Sequence, residues 1–126
     1  MAKRKLLVRT GTADDFFAHA ANAARRMDRG EPMDGRVTLI FEDPRRMFAV
    51  LSEGRRRLMR AVLKSPQTIA QLTHTLKRDR ATVAKDVRAL EQAGLLVTRR
   101  ESNPGHGIRT FVAPVAATIE LVATLA

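Results

Sequence analysis

Apolar residues in this chain recur with two periods, and the points where one replaces the other divide it into elements. Lys5 to Arg9 is a short β-prone run, and Gly11-Thr12 follows as a turn. Thr12 can cap a helix whose first turn holds Asp14 and Asp15, where the helix dipole favours acids. Ala13, Phe16, Phe17, Ala20, Ala24 and Met27 fall within roughly a 100° arc at 3.6 residues per turn, which predicts one buried face on a helix running to about Arg29. Gly30 and Pro32 should end it. In Arg36 to Glu42, Val37, Leu39 and Phe41 alternate against Arg36, Thr38, Ile40 and Glu42, the period of a strand, and Asp43-Pro44 stops it.

From there the period is helical. Pro44 suits a first helical position, and Met47, Phe48 and Leu51 give that helix an apolar side before Ser52 and Gly54 interrupt it. A second helix restarts near Glu53, with Leu58, Met59 and Val62 on one face and Arg56, Arg57, Arg60 and Lys64 on the opposite one. Ser65-Pro66 breaks it. Thr68 and Gln71 then stand in capping-box spacing before Ile69, Leu72 and Leu76. Asp79 can cap a further helix whose Val83, Val87 and Leu90 face inward and which Gly94 terminates. Two capped helices joined by about four residues make a helix-turn-helix candidate.

After Gly94, residues 95–102 and 108–114 read as two strands around the turn-rich Asn103 to Gly107, a β-hairpin with a longer loop. The remaining residues support both periods, with a strand the favoured reading. The expected fold class is therefore α+β: a winged helix-turn-helix over 43–126, preceded by a strand-helix-strand extension over 1–42 that is a candidate dimer or partner interface.

Charge says what that fold meets. Lysine and arginine number 23 against 13 acids, a formal +10 concentrated in the first ten residues and from Glu53 onward. Such an excess implies a polyanionic partner, nucleic acid being the commonest. The second helix of a helix-turn-helix lies in the major groove, its N-terminal residues reaching base edges. Here Arg80, Ala81, Thr82 and Lys85 are the base-reading candidates, since Arg and Lys pair with guanine and a methyl group can touch thymine. Arg88, further along, is expected on a phosphate, with Gln92 on the same outward face. Arg78 in the turn, Arg99, Arg100, His106 and Arg109 in the wing, and Arg56, Arg57 and Arg60 on the basic face complete the DNA-binding set.

Other chemistry finds little support. The chain has no cysteine, which removes disulfides, thiolate zinc sites and cysteine nucleophiles and fits a reducing cytoplasm. Only Leu6, Leu7 and Val8 follow the basic start, too few for a signal peptide or a membrane span, so a soluble, uncleaved protein is expected. His19, His74 and His106 lie in separate segments without ligand spacing. Asp14 and Asp15, adjacent on a helix, point in different directions, and no nucleophile motif or phosphate-binding glycine loop is present. Neither catalysis nor a cofactor is expected. With no Trp, no Tyr and five Phe in apolar patterns, RNA stacking is less favoured than duplex DNA.

The segment from Thr68 to Val97 resembles the winged helix-turn-helix of MarR-like regulators, the shared run being Asp86, Val87, Leu90, Glu91, Gly94, Leu95 and Leu96. Over most of its length the chain is similar to small predicted DNA-binding proteins through Phe41, Asp43, Met47, Val50, Leu51, Ser52, Arg56, Leu58, Met59 and Arg60. The resemblance implies a homodimeric transcriptional regulator, a repressor at its operator. In some members it implies an antitoxin that pairs with a small toxin and represses its own operon. The wing loop, Asn103 to Gly107, departs from the family by its length.

Overall fold

The computed structural model describes residues 5–31 and 36–122 of the chain, the side chains of Arg36, Val37 and Asn103 excepted. Pro32, offered above as a helix stop, and the side-chain alternation at Arg36 and Val37 lie outside the described residues. Two compact units are distinguished, residues 1–48 with 116–126, and residues 49–115.

The first unit is a three-stranded parallel sheet in the order β2-β1-β6, formed by β1 (Lys5–Thr10), β2 (Arg36–Phe41) and β6 (Thr118–Val122). Parallel neighbours need a crossover, and α1 (Ala13–Asp28) supplies it between β1 and β2. Paired residues share a face. Val8 lies between Leu39 and Leu121, and Leu6 beside Ile119, on an apolar side where Leu6 and Val8 are buried. Leu7 lies between Thr38 and Glu120, and Arg9 between Ile40 and Val122, on the other side, where Lys5 Nζ reaches Glu120 Oε2 at 2.7 Å. The strand reading of the tail is thus correct, and its partner is β1.

Both ends of α1 are locally specified. The Asp15 N–H donates to Thr12 Oγ1 at 3.1 Å and the Thr12 N–H donates to Asp15 Oδ2 at 2.8 Å, a reciprocal capping box. Hydrogen bonds from Thr12 to the Asp15 carboxylate, from the backbone N–H first and then from the Thr12 side chain, hold that carboxyl below its ordinary value. At the far end Gly30, with φ +70°, takes the left-handed cap position, and the Glu31 N–H donates to the Arg26 carbonyl at 3.0 Å. The expected buried face is absent, however: no residue of α1 is buried, and Phe16, Phe17 and Met27 are 52%, 66% and 60% exposed. The helical period holds and the burial does not, because periodicity reports an apolar stripe and does not say what covers it.

Helix α2 (Pro44–Val50) opens at Pro44 as expected, with Asp43 Oδ1 accepting from the Arg45 N–H at 2.9 Å. Met47 is buried, whereas Phe48, assigned above to the same apolar side, is 51% exposed.

The second unit runs α3 (Glu53–Lys64), β3 (Gln67–Thr68), α4 (Ile69–Leu76), α5 (Arg80–Gln92), β4 (Leu96–Asn103) and β5 (Gly107–Pro114). This order, three helices closed by an antiparallel hairpin with a short strand on its flank, is a winged helix-turn-helix. Its core is Leu58, Val62, Leu72, Val83, Val87, Leu90, Leu95, Leu96 and Val112, all essentially inaccessible. Fully burying one such side chain contributes about 1.5–3 kcal/mol.

Ser52 caps α3, so the expected break falls before Glu53, and Gly54 lies inside the helix. A Cβ at residue 54 would sit 2.9 Å from Arg78 Nη1, so glycine there makes room for that guanidinium. The two-residue β3, too short to leave a pattern, pairs with β5 at Val112 and Phe111. The wing loop is shorter than expected. Asn103 pairs with Gly107, leaving Pro104 to His106 as the turn, which Gly105 and Gly107 close with φ near +81° and +82°.

Candidate nucleic-acid interface

Three features fix α5 in place. Its N-terminus is capped by Asp79, whose carboxylate accepts from Thr82 Oγ1 at 2.6 Å and from the Thr82 N–H at 3.0 Å. Those two bonds, the hydroxyl first, hold the Asp79 carboxyl below its ordinary value. Its C-terminus closes on Gly94 at φ +86°, where the Leu95 N–H donates to the Leu90 carbonyl at 2.9 Å and the Gly94 N–H to that of Glu91 at 3.0 Å. Buried Leu90 and Leu95 are the apolar pair that accompanies such an ending. The inner face is the expected Val83, Val87 and Leu90, none more than 2% exposed.

Asp86 was not foreseen on that inner face. It is 7% exposed, accepts from Arg55 Nε at 3.1 Å through Oδ1, and accepts from Arg78 Nη1 at 3.0 Å through Oδ2. One carboxylate therefore ties the start of α3 and the turn before α5 to the middle of α5. Arg55 also donates from Nη1 to the carbonyls of Ala49 and Val50 at 3.2 and 3.4 Å, which fixes the chain leading into α3. Burying a charge is costly unless it is paired, so both partners are needed. A signal existed. At 100° per residue Asp86 lies about 60° from Val83, and Arg55 falls between Leu58 and Met59 on α3, two opposite charges on two inward stripes.

Opposite the inner face, Arg80, Ala81, Lys85, Arg88 and Gln92 are exposed, and Thr82 is half-buried with its hydroxyl committed to the cap. Among the described residues, Arg80, Lys85 and Arg88 have no hydrogen-bond or ion-pair partner. Arg78, included above as a DNA-binding candidate, is drawn inward to Asp86 and is 28% exposed at its side chain.

The wing divides its cations. Glu101 accepts from Arg99 Nε at 2.9 Å and from Arg109 Nε at 3.1 Å, and these bonds, that of Arg99 foremost, hold its carboxyl below the ordinary value. The Arg99 guanidinium also lies 5.2 Å from the centroid of the Phe111 ring, to which it is paired across the ladder. Arg100, on the other face, is exposed and without a partner among the described residues, as is His106 in the loop. Arg57 and Arg60 are exposed and Arg56 half-buried on α3, away from Leu58 and Val62. Glu91, at the end of α5, accepts a short hydrogen bond from Thr98 Oγ1 and so anchors the wing to that helix.

This is an amphipathic helix held at both ends and in its middle, offering an uncompensated cationic face beside a hairpin whose charges are partly neutralised. No described helix is long and apolar enough to cross a membrane. Among the described residues no group of three or more His, Asp or Glu is placed to hold a metal ion.

Residues 50–111 match the model of a protein family described as HVO_A0114. No match is found among curated proteins. Among solved structures the chain is similar to a possible transcriptional regulator from Methanosarcina mazei Go1, at 20% identity over 60% of this chain and 68% of that one, with a TM-score of 0.49. It is also similar to the homodimeric winged helix-turn-helix DNA-binding domain Mb0332 from Mycobacterium bovis, a possible ArsR-family transcriptional regulator. That match has 18% identity over 84% of this chain and 75% of that one, with a TM-score of 0.47.

Proposed function

We propose that the chain is a sequence-specific binder of double-stranded DNA that regulates transcription, a non-enzymatic cytoplasmic protein that works without a cofactor. The observation that carries this reading is the outward face of α5, where Arg80, Ala81, Lys85 and Arg88 are exposed and the three cations have no ion-pair partner among the described residues, on a helix fixed by Asp79, Asp86 and Gly94. An unpaired cationic face on a rigid helix suits the major groove: Arg80 and Lys85 at base edges, Arg88 on a phosphate. Arg100 and His106 are the wing groups free to approach the backbone, while Arg99 and Arg109 must share themselves with Glu101. The run from Asp86 to Leu96 that carries the MarR-like resemblance spans the middle of α5, its glycine ending and the start of β4.

A two-fold dimer would set two such helices on half-sites roughly 34–36 Å apart, and repression then needs only that the operator be occupied. One observation favours a second reading, an antitoxin that also holds a small toxin: the apolar face of α1 has no buried residue and leaves its Phe and Met side chains more than half exposed. Co-expression of the chain with the product of an adjacent gene, followed by co-purification, separates the two.

The experiment for the main reading is fluorescence anisotropy on duplexes tiling the chain's own upstream region, against scrambled duplex, at two salt concentrations. A preferred duplex that keeps its advantage at higher salt supports sequence-specific regulation. Equal binding to every duplex, collapsing by roughly 10³ or more between 50 and 200 mM salt if about six phosphates are contacted, would replace it with a generic grip on nucleic acid.

A further inference from the structure

Among the described residues of the first unit, α1 has an apolar surface whose large side chains are left more than half uncovered. It presents Phe16, Phe17 and Met27 at 52%, 66% and 60% exposure, with Ala13, Ala20 and Ala24 exposed between them. The helix is sharply specified, with a capping box at one end and a left-handed glycine at the other. A segment built so carefully and then left uncovered asks for a partner.

The charges beside the stripe say which partner fits. With Ala13 as origin and 100° per residue, the stripe spans about 300° to 40°, while Asp14 and Arg25 lie together on one flank near 100° and 120°. Neither has a hydrogen-bond or ion-pair partner among the described residues, in contrast to Arg26 and Arg29, which both reach Glu31. In an antiparallel pair of identical helices like flank meets like flank, so that crossing near Ala20 sets Asp14 against Arg25 of the second copy, twice by symmetry. The same crossing sets Phe16 and Phe17 against Ala24 of the other helix, large beside small, and opposes the two helix dipoles. A parallel two-fold pair would instead set each flank against the opposite flank of its partner and leave Asp14 and Arg25 apart.

We propose that α1 is the two-fold dimer interface of this protein, packing antiparallel on α1 of a second copy, with Asp14 and Arg25 selecting that orientation. This rests on the dimeric part of the function proposed above and is independent of DNA binding. The test uses sedimentation equilibrium of the full chain and three variants, Asp14→Arg, Arg25→Asp and the two combined, with circular dichroism confirming equal helix content. Each single reversal should raise the dimer dissociation constant roughly tenfold at low salt, since two attractive exposed pairs become two repulsive ones, and the penalty should shrink in high salt. The combined variant should return to within about threefold of wild type, a restoration that a merely damaged helix could not show.

Phe17→Glu should weaken the dimer by more than the charge reversals. Because the chain has no cysteine, Ala20→Cys gives a second readout, a symmetric disulfide forming across the crossing under oxidation. A dimer whose constant none of the reversals moves would overturn the interface while leaving the dimer intact. A monomeric wild type at about 100 µM would overturn both and turn α1 towards a different protein.

Discussion

Helices α1 and α5 carry apolar stripes of the same period and end in opposite environments. In α5 the stripe is Val83, Val87 and Leu90, none above 2% exposed, and the polar face carries unpaired cations. In α1 no residue is buried, and the aromatic stripe itself is the exposed surface. What separates them lies outside either helix. The second unit supplies Leu58, Val62, Leu72, Leu95 and Val112 to cover α5, whereas the sheet beside α1 turns Lys5, Arg9 and Glu120 to one of its sides. Amphipathicity therefore specifies that a helix needs a partner, and the rest of the molecule decides whether that partner is itself or another molecule.

Substitution within the two stripes should break this symmetry most strongly. Leu90→Ala should cost about 3–5 kcal/mol in urea unfolding of the second unit, because its neighbours are fully packed. Phe17→Ala, measured at a concentration where the chain is monomeric, should change stability by less than about 0.5 kcal/mol. A large loss from Phe17→Ala under those conditions would mean that α1 is covered in solution by its own chain.

Next in size is the buried carboxylate. Asp86→Ala leaves Arg55 and Arg78 facing each other without an anion and should cost about 2–3 kcal/mol. The value falls below that of a fully buried pair because the arginine side chains are 18% and 28% exposed and water can reach them. The same variant should weaken DNA binding even at temperatures where it remains folded, since α5 loses its tie to the turn and to α3. Binding indistinguishable from wild type would show that the core alone aims the helix.

On the outer face of α5, Lys85→Ala should weaken the preferred site by roughly 1–3 kcal/mol and relax specificity at one base pair. Arg88→Ala should weaken all duplexes alike and reduce the salt slope by about one. Anisotropy on matched and scrambled duplexes separates them, and identical behaviour of the two variants would remove the division of roles.

The smallest effect concerns the cap. Asp79 is held below its ordinary value when folded, so its contribution is fully present above the unfolded carboxylate value of 3.8 and is lost as pH falls through the lower folded value. Asp15 and Glu101 share that sign. Asp79→Asn keeps an acceptor for the Thr82 amide without a titrating group, so thermal melts should show a shallower loss of stability below pH 3.8. An unchanged acid limb would assign that loss to the other carboxylates.

What could be read from the sequence was local. The capping box of Thr68 and Gln71, the cap at Asp79, the glycine ending at Gly94 and the inward Val83, Val87 and Leu90 each depend on residues within about one or two turns, and the structure places them as expected. What escaped was settled by distant residues. Arg55 and Asp86 stand 31 positions apart, and only the packing of α3 against α4 and the hairpin brings their elements within reach. The glycine at 54 read as an interruption because the group that fills its space, Arg78, belongs to another element. The pairing of β6 with β1 left no trace in either segment beyond a tendency to be extended.

That last pairing has a consequence for how the chain is made. A ribosome delivers β1, α1 and β2 first, then all of residues 49–115, and only afterwards the strand that completes the sheet on the far side of β1. The second unit can close on contacts within residues 49–115 while the first still shows an unfilled strand edge, and closure across so long a stretch is slow compared with helix formation. During that interval the open edge of β1 is a template for strands of neighbouring nascent chains. Its charged residues, Lys5 and Arg9, sit on that strand and repel a copy of themselves laid alongside, so the nascent sheet carries its own deterrent against premature association until Glu120 arrives to meet Lys5.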